Sequence, residues 1–473
     1  MNLKKKFLKN LSYAITSQGI SLLMSMLINL FLPKVLGVED FSYWQLFIFY
    51  SQYIPFLHLG LNDGVYLRYG GIKFKDLNKN IIKTQLILGL FYQLIFCIIL
   101  CFMSWVVVLD YSRLTIIILV TIYFIFYSIQ NYLGNIFQAT NEFIWFSKSI
   151  ILSQIFFIVV MIICLYMDKK QYWIYIMIYI FSQIVSSIYL IVKGKKIVLA
   201  KICYIKISIK ELLLNINAGI KLMLANIASM LVLGSSRQII DMIWGLLVFG
   251  KISFAITLSN FLLVFIRQIG LVMFPTLKQL NENTQRYIYD LSRKGLFLFL
   301  PIIYIAYFPL YFILSIWLPE YIESLKYLVL VLPICFFDAK MQLLCNTYLK
   351  VLRREGYLFK INIFALFLSV LLGIMGGIVF KSIIIVMLGM VLAIIVRSIL
   401  AEYRLSKDLN IKIYKNIIQE IIFTIGFIVI AWYLDNIKGF FILISTYVFF
   451  ILFNKKIVKY VLINIGGKWD DKS

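Results

Sequence analysis

Residues 251–270 read KISFAITLSNFLLVFIRQIG, and the apolar character carries on to Pro275. A helix of that length crosses about 30 Å of hydrocarbon. Four of its polar residues share a spacing. Ser253, Thr257, Asn260 and Arg267 recur at offsets of 4, 7 and 14. At about 100° per residue all four fall within roughly 40° of one helix line. The segment is a membrane helix with a polar stripe that ends in a permanent cation.

The rest of the chain has the same character. It is 473 residues long, 62% hydrophobic, 17% aromatic and only 14% charged, with a mean hydropathy of +0.94. No water-soluble domain of this size has that composition, so the chain is a polytopic membrane protein and all-α. The net charge of +25 would suggest nucleic acid in a soluble protein. Here it reflects the Lys and Arg that collect in cytoplasmic loops, and no nucleic-acid partner is expected. The cysteines Cys97, Cys101, Cys164, Cys203, Cys335 and Cys345 fall mostly inside apolar runs without metal-site spacing. They read as packing residues; no metal and no cofactor are expected. MNLKKKFLKN, followed by a long apolar run without a small-residue cleavage site, reads as an uncleaved first span.

Runs long enough to span lie near 11–32, 42–62, 81–104, 114–136, 143–166, 171–192 and 212–234. They continue near 247–277, 294–317, 325–348, 358–380, 382–402, 414–434 and 439–457. That predicts about fourteen helices. With a cytoplasmic N-terminus, the inner segments hold roughly 34 Lys and Arg and the outer connections roughly 8. The asymmetry places both termini in the cytoplasm. No connection exceeds about 20 residues, so a soluble catalytic domain has nowhere to sit and no enzyme is expected.

A repeat divides the chain. In LGVEDFS (36–42) and WGLLVFG (244–250), Gly stands four residues before Phe at the entry to a helix. Gly60-Leu61 and Gly270-Leu271 follow 19 and 21 residues after each Phe. Because these positions open two six-helix blocks, the pattern predicts a duplicated lobe with both copies in the same orientation. The organisation is then an N-terminal lobe at 1–192, a basic linker at 193–211, a C-terminal lobe at 212–405, and a final pair of helices with the tail at 406–473.

Charged residues within spans usually face a cavity or a partner, because burying them costs at least about 2.5–3.5 kcal/mol each. Arg267 and Lys221 fall in the cytoplasmic halves of spans 8 and 7. Asp338 and Lys340 fall near the middle of span 10; two apart on a helix, they point in different directions and need partners elsewhere. Span 2 sets Gln45 and Gln52 on one line, with Ser51, Pro55, His58 and Asn62 beside it. Ser17, Ser21, Ser25 and Asn29 of span 1 read as small-residue packing contacts. His58, the one histidine, is either a hydrogen-bonding group of its lobe or a proton carrier. The stripe on span 8 is expected to line a water-filled cavity between the lobes. Lys221, Arg267 and Lys340 against Asp338 make that cavity cationic, which suits a phosphate or pyrophosphate headgroup. The substrate-binding candidates are therefore Arg267, Lys221, Lys340, Asn260 and Gln52. The ion-coupling candidates are Asp338 and His58.

The sequence resembles the bacterial polysaccharide and oligosaccharide flippases (Wzx type) of the multidrug/oligosaccharidyl-lipid/polysaccharide exporter superfamily. The resemblance rests on LPKVLGVEDFSYWQLF (32–47), LHLGLNDGVYLRYGG (57–71), SSRQIIDMIWGLLVFGKISFA (235–255), FPTLKQL (274–280) and WLPEYIESLKYLVLVLP (317–333). It implies two six-helix lobes around a central cavity, alternating access, and a location in the bacterial cytoplasmic membrane. It implies export of an undecaprenyl-pyrophosphate-linked repeat unit, a lipid-linked oligosaccharide, and in some members coupling to a proton or sodium ion. Two alternatives share the fold: a lipid II flippase, and a cation-coupled exporter of drugs or metabolites, which would favour acidic cavity residues. A membrane enzyme of glycan assembly would need larger outer loops than these.

Overall fold

The computed structural model describes the backbone of residues 3–70, 72–107, 110–140, 142–278, 281–352, 354–411, 414–434 and 437–465. The side chains of residues 3–15, 17, 18, 261, 262, 264–276, 278, 355, 414 and 465 lie outside the description. The described secondary structure is helical throughout, as lipid requires when every backbone polar group must find its partner within the protein.

In chain order the helices are α1 (Leu3–Tyr53), α2 (Leu61–Tyr69), α3 (Lys79–Val107), α4 (Tyr111–Ala139), α5 (Phe143–Tyr166), α6 (Tyr172–Lys193) and the short α7 (Lys195–Val198). They continue with α8 (Ile205–Trp244), α9 (Leu246–Lys278), α10 (Glu282–Phe299), α11 (Ile302–Ile305), α12 (Tyr307–Trp317) and α13 (Ile322–Lys340). The last are α14 (Asn346–Val351), α15 (Glu355–Ile374), α16 (Ile383–Asp408), α17 (Tyr414–Tyr433), α18 (Ile437–Phe453) and α19 (Lys455–Ile465). Among the described residues, eleven helical stretches are long and apolar enough to cross a membrane. The number is twelve if α18 and α19, which meet at 76°, count as one broken span. The protein is thus an all-α, multi-pass membrane protein.

Local chemistry sets several boundaries. Asp110 caps α4 by accepting from the Ser112 N–H, and Asn281 caps α10 by accepting from the Thr284 N–H, each at 2.9 Å. At about 1.5 Å per residue, the 51 residues of α1 would measure roughly 77 Å if straight, far more than one bilayer. Gly37 breaks the run with φ 70° and ψ −178°. Gly245, at φ 82°, separates α8 from α9. Both glycines take a left-handed backbone that a side chain would strain. They are the two that the repeat aligned.

The chain divides into two compact units, Met1–Ile227 and Ala228–Ser473, with the division inside α8. In the first unit Leu61, Val65, Tyr132, Leu133, Phe137 and Leu190 form a buried core. The N-terminal half of α8 crosses the start of α2 almost backbone to backbone. A Cβ on Gly219 would stand 2.0 Å from the Gly60 carbonyl oxygen, and one on Gly64 would stand 1.8 Å from the Asn215 carbonyl oxygen. Arg68 of α2 then reaches Glu211 at 2.9 Å and the Asn215 side chain at 2.8 Å on α8.

The second unit is built around α13. Every residue from Leu328 to Met341 is buried, so this helix has no lipid face and no polar face. It runs into a π-helical turn over Met341–Cys345, directly after Lys340. Such turns re-aim the side chains around them.

Candidate functional site

The sequence candidates separate once their surroundings are known. Ser253, at the start of the stripe on α9, is fully buried. Its hydroxyl accepts from the Arg237 guanidinium of α8 at 2.7 and 3.0 Å. Thr257 bonds back to the Ser253 carbonyl at 2.8 Å, and Asn260 is half-buried. Half of the stripe is therefore spent on helix packing. Arg267 lies on α9, but its side chain falls outside the described residues. Lys221 is exposed on α8, and Gln52 is exposed near the end of α1, whereas Gln45, two turns earlier on the same line, is buried.

His58 is buried at the turn into α2. The Gly60 N–H donates to its Nδ1 at 2.9 Å, so that nitrogen carries no proton and the ring is the neutral tautomer with Nε2–H. Nε2 lies 3.8 Å from the Asp63 carboxylate. Tyr92 donates to the His58 carbonyl at 2.7 Å. Protonating this imidazole breaks the bond to Gly60, next to the glycine crossing with α8.

Asp338 and Lys340 do find partners on other helices. Asp338 pairs with Arg397 of α16, whose other amino group donates to Ser229 of α8 at 2.9 Å. Lys340 lies 2.7 Å from Glu402 of α16 and 2.6 Å from Glu420 of α17. Arg293 of α10 completes the group, 2.6 Å from Glu402 and 3.1 Å from Glu420. Two cations and two carboxylates thus close a square that joins α10, α13, α16 and α17. No side chain in it is more than 2% exposed.

This geometry corrects the charge count made from sequence. The sequence alone assigns Lys340 to a cationic cavity, but its charge is neutralised by Glu402 and Glu420 inside the second unit and it is 1% exposed. A count limited to Lys221, Arg267, Lys340 and Asp338 leaves out Arg293, Arg397, Glu402 and Glu420. Glu402, Glu420 and Arg397 stand in apolar runs and could have been marked by the rule that flagged Asp338; Arg293 stands just before its span and gave no such signal. What remains of the cation excess rests on Lys221 and Arg267. Among the described residues no group of three or more His, Cys, Asp or Glu side chains is arranged to hold a metal, and the six cysteines are free.

Comparison with known proteins places the fold. A multidrug-resistance transporter of the MOP superfamily, solved inward-facing, is 13% identical, with 82% of this chain and 94% of that chain covered and a TM-score of 0.65. A lipid II flippase in an inward closed conformation is 14% identical, with 97% of this chain and all of that chain covered and a TM-score of 0.68. The second alignment is long enough to take in most of α17 and α18. At these identities the likeness is one of fold. A search of curated proteins gave no match. Residues 7–281, more than half of the chain, match the family described as "Polysaccharide biosynthesis protein", and the chain belongs to that family, the Wzx-type flippases of the MOP superfamily, which are transporters and not enzymes.

Proposed function

We propose that the protein carries an undecaprenyl-pyrophosphate-linked oligosaccharide repeat unit across the bacterial cytoplasmic membrane by alternating access, for assembly of a surface polysaccharide. The family match over residues 7–281 carries this reading. The proposed topology has fourteen crossings with both termini in the cytoplasm. It counts α1 as two spans that part at Gly37, counts α9 over its full length, and follows the excess of Lys and Arg on one side. The proposed organisation is two six-helix lobes that open at equivalent glycines, Gly37 and Gly245, with α17 and α18 appended.

Arg267 is the proposed phosphate contact on α9, and Lys221 is a second on α8. Lys221 is exposed and has no carboxylate within ion-pair distance among the described residues. Asn260 and Gln52 are proposed as neutral hydrogen-bonding contacts for the sugar. Asp338 and His58 are proposed as coupling groups only in a state that opens their present partners, Arg397 and the Gly60 N–H. The test is export. Removing the Arg267 guanidinium should cost about 1.5–3 kcal/mol of charge-assisted bonding, a roughly ten- to hundredfold loss of headgroup affinity. Arg267→Lys should recover only part, because an ammonium lacks the bidentate fork. In a strain lacking its own flippase, Arg267→Ala at matched membrane expression should leave the lipid-linked unit in the inner leaflet. Normal export by that variant would refute the role.

A further inference from the structure

At the end of the second unit away from the four-charge square, a cavity of about 400 Å³ opens among α8, α13, α17 and the turn before α16. The distance from the square follows from α13 itself. Glu323 and Tyr327 line the cavity and Lys340 belongs to the square, some 13–17 residues or roughly 20–25 Å along the helix. The volume lies within the range of small-molecule sites, about 300–1,000 Å³.

Three kinds of group meet there. Trp244, the last residue of α8, and Trp432, near the end of α17, bring two half-buried indoles, with Tyr327 between helices. Glu323 is already satisfied: Lys251 lies 2.5 Å from one oxygen, and the Tyr327 hydroxyl donates to the other at 3.0 Å. Lys326 and Lys381 also line the cavity, and neither has a carboxylate within ion-pair distance among the described residues. Lys326 stands 5.3 Å from the centroid of the Trp432 ring. Lys381 holds a left-handed backbone at φ 46°, a conformation that glycine would adopt without strain.

An aromatic belt at a bilayer surface would account for single Trp, Tyr and Lys residues spread around a protein. Here they converge from four segments on one concave volume, with two uncompensated ammonium groups in it. The apolar C–H face of a pyranose stacks on an indole, and a carboxylate on that sugar would pair with an ammonium. We propose that this cavity is a binding site for an acidic sugar residue, with Trp432 and Trp244 as stacking faces and Lys326 and Lys381 as anion contacts. The inference deepens the flippase reading by naming a charged glycan as its cargo, and rests on that reading for its biological meaning.

The test reads binding without transport. The full-length protein, purified in neutral detergent, is titrated with digalacturonic acid, with maltose as the uncharged control and inorganic phosphate as the bare anion. Calorimetry and tryptophan fluorescence give the affinities. Digalacturonate should bind saturably, at least tenfold tighter than maltose or phosphate. Lys326→Ala with Lys381→Ala should weaken it by roughly tenfold or more, with exposure to solvent limiting the effect. Trp432→Phe should remove most of the fluorescence change. No saturable binding, equal binding by the double lysine variant, or phosphate binding as tight as digalacturonate would each overturn the proposal. So would displacement of digalacturonate by phosphatidylglycerol micelles with no loss of that lipid's affinity in Trp432→Phe, since the site would then take a lipid phosphate. If digalacturonate binds while Arg267→Ala exports normally, the headgroup reading fails and this site stands.

Discussion

Glu420→Gln tests whether the buried square holds α17 to α10, α13 and α16 within the second unit. In the native protein two cations face two carboxylates, and Glu420 supplies one contact to Lys340 at 2.6 Å and one to Arg293 at 3.1 Å. The amide is nearly isosteric, so packing is kept, but a net positive charge is left among side chains no more than 2% exposed. Breaking a buried pair in this way costs about 3–5 kcal/mol, most of it the penalty of the charge left behind. Removing the stranded charge should therefore restore stability. Lys340→Met with Glu420→Gln leaves only Arg293 and Glu402, which are paired at 2.6 Å. The double variant should recover most of the loss, a coupling of roughly 2–3 kcal/mol. The assay is denaturation in a mixed micelle titrated with SDS, with thermal midpoints in mild detergent as a second ranking, since heating of a membrane protein is irreversible. A single variant within about 0.5 kcal/mol of the native protein, or a double variant that loses the sum of the two singles, would refute the reasoning. If stability returns in the double variant but export does not, the square also works in transport.

The glycine sites separate two kinds of cost. Gly219→Ala sets a methyl 2.0 Å from the Gly60 carbonyl and 2.4 Å from the Gly64 nitrogen, against backbone that cannot turn aside. Overpacking there should cost at least about 3 kcal/mol and reduce the amount of folded protein recovered from membranes. Gly245→Ala meets nothing within 4 Å, so it should cost only the left-handed strain of about 1–2 kcal/mol; equal losses for the two would show that space is not the issue. Asp63 supplies the pH test. Burial pushes its carboxyl up to about 6, so between about pH 4 and pH 6 the folded protein holds a proton that the unfolded chain has released. Stability from this group falls as pH rises through that window and is level above it. Asp63→Asn should remove this falling contribution, so that the slope of stability against pH becomes more positive over the same range, and an unchanged slope would assign the effect elsewhere.

The parts of the fold that were legible in the sequence are those fixed by local chemistry. Apolar length gave the all-α, multi-pass character, though the described residues show eleven or twelve spanning stretches against about fourteen expected, and the Gly-to-Phe spacing at Gly37 and Gly245 marked two breaks that both have a left-handed backbone. The site was harder to read, because a charge in an apolar run looks the same whether it lines a cavity or closes a pair. That Asp338 and Lys340 needed partners followed from their spacing. Which partners they took did not, since Lys340 reaches Glu420 across 80 residues of chain and Arg293 reaches Glu402 across 109.

One distinction was nevertheless available before any geometry. Around Lys340 the run from Leu328 to Met341 is apolar on all sides of the helix, apart from Asp338 and Lys340 themselves. Such a helix is enclosed by protein, and a cation enclosed by protein survives only beside an anion. Around Arg267 four polar positions, Ser253, Thr257, Asn260 and Arg267, fall on one line, which in the sequence reads as a face suited to water. The same side-chain charge therefore carries opposite expectations on α13 and α9: a closed pair for Lys340, and an open contact for Arg267. The structure gives the first, with two carboxylates within 2.7 Å of the ammonium. By the same argument, acidic residues placed opposite an all-apolar helix belong to its packing. A search for the substrate's contacts should therefore begin with striped helices and leave the neutral square out.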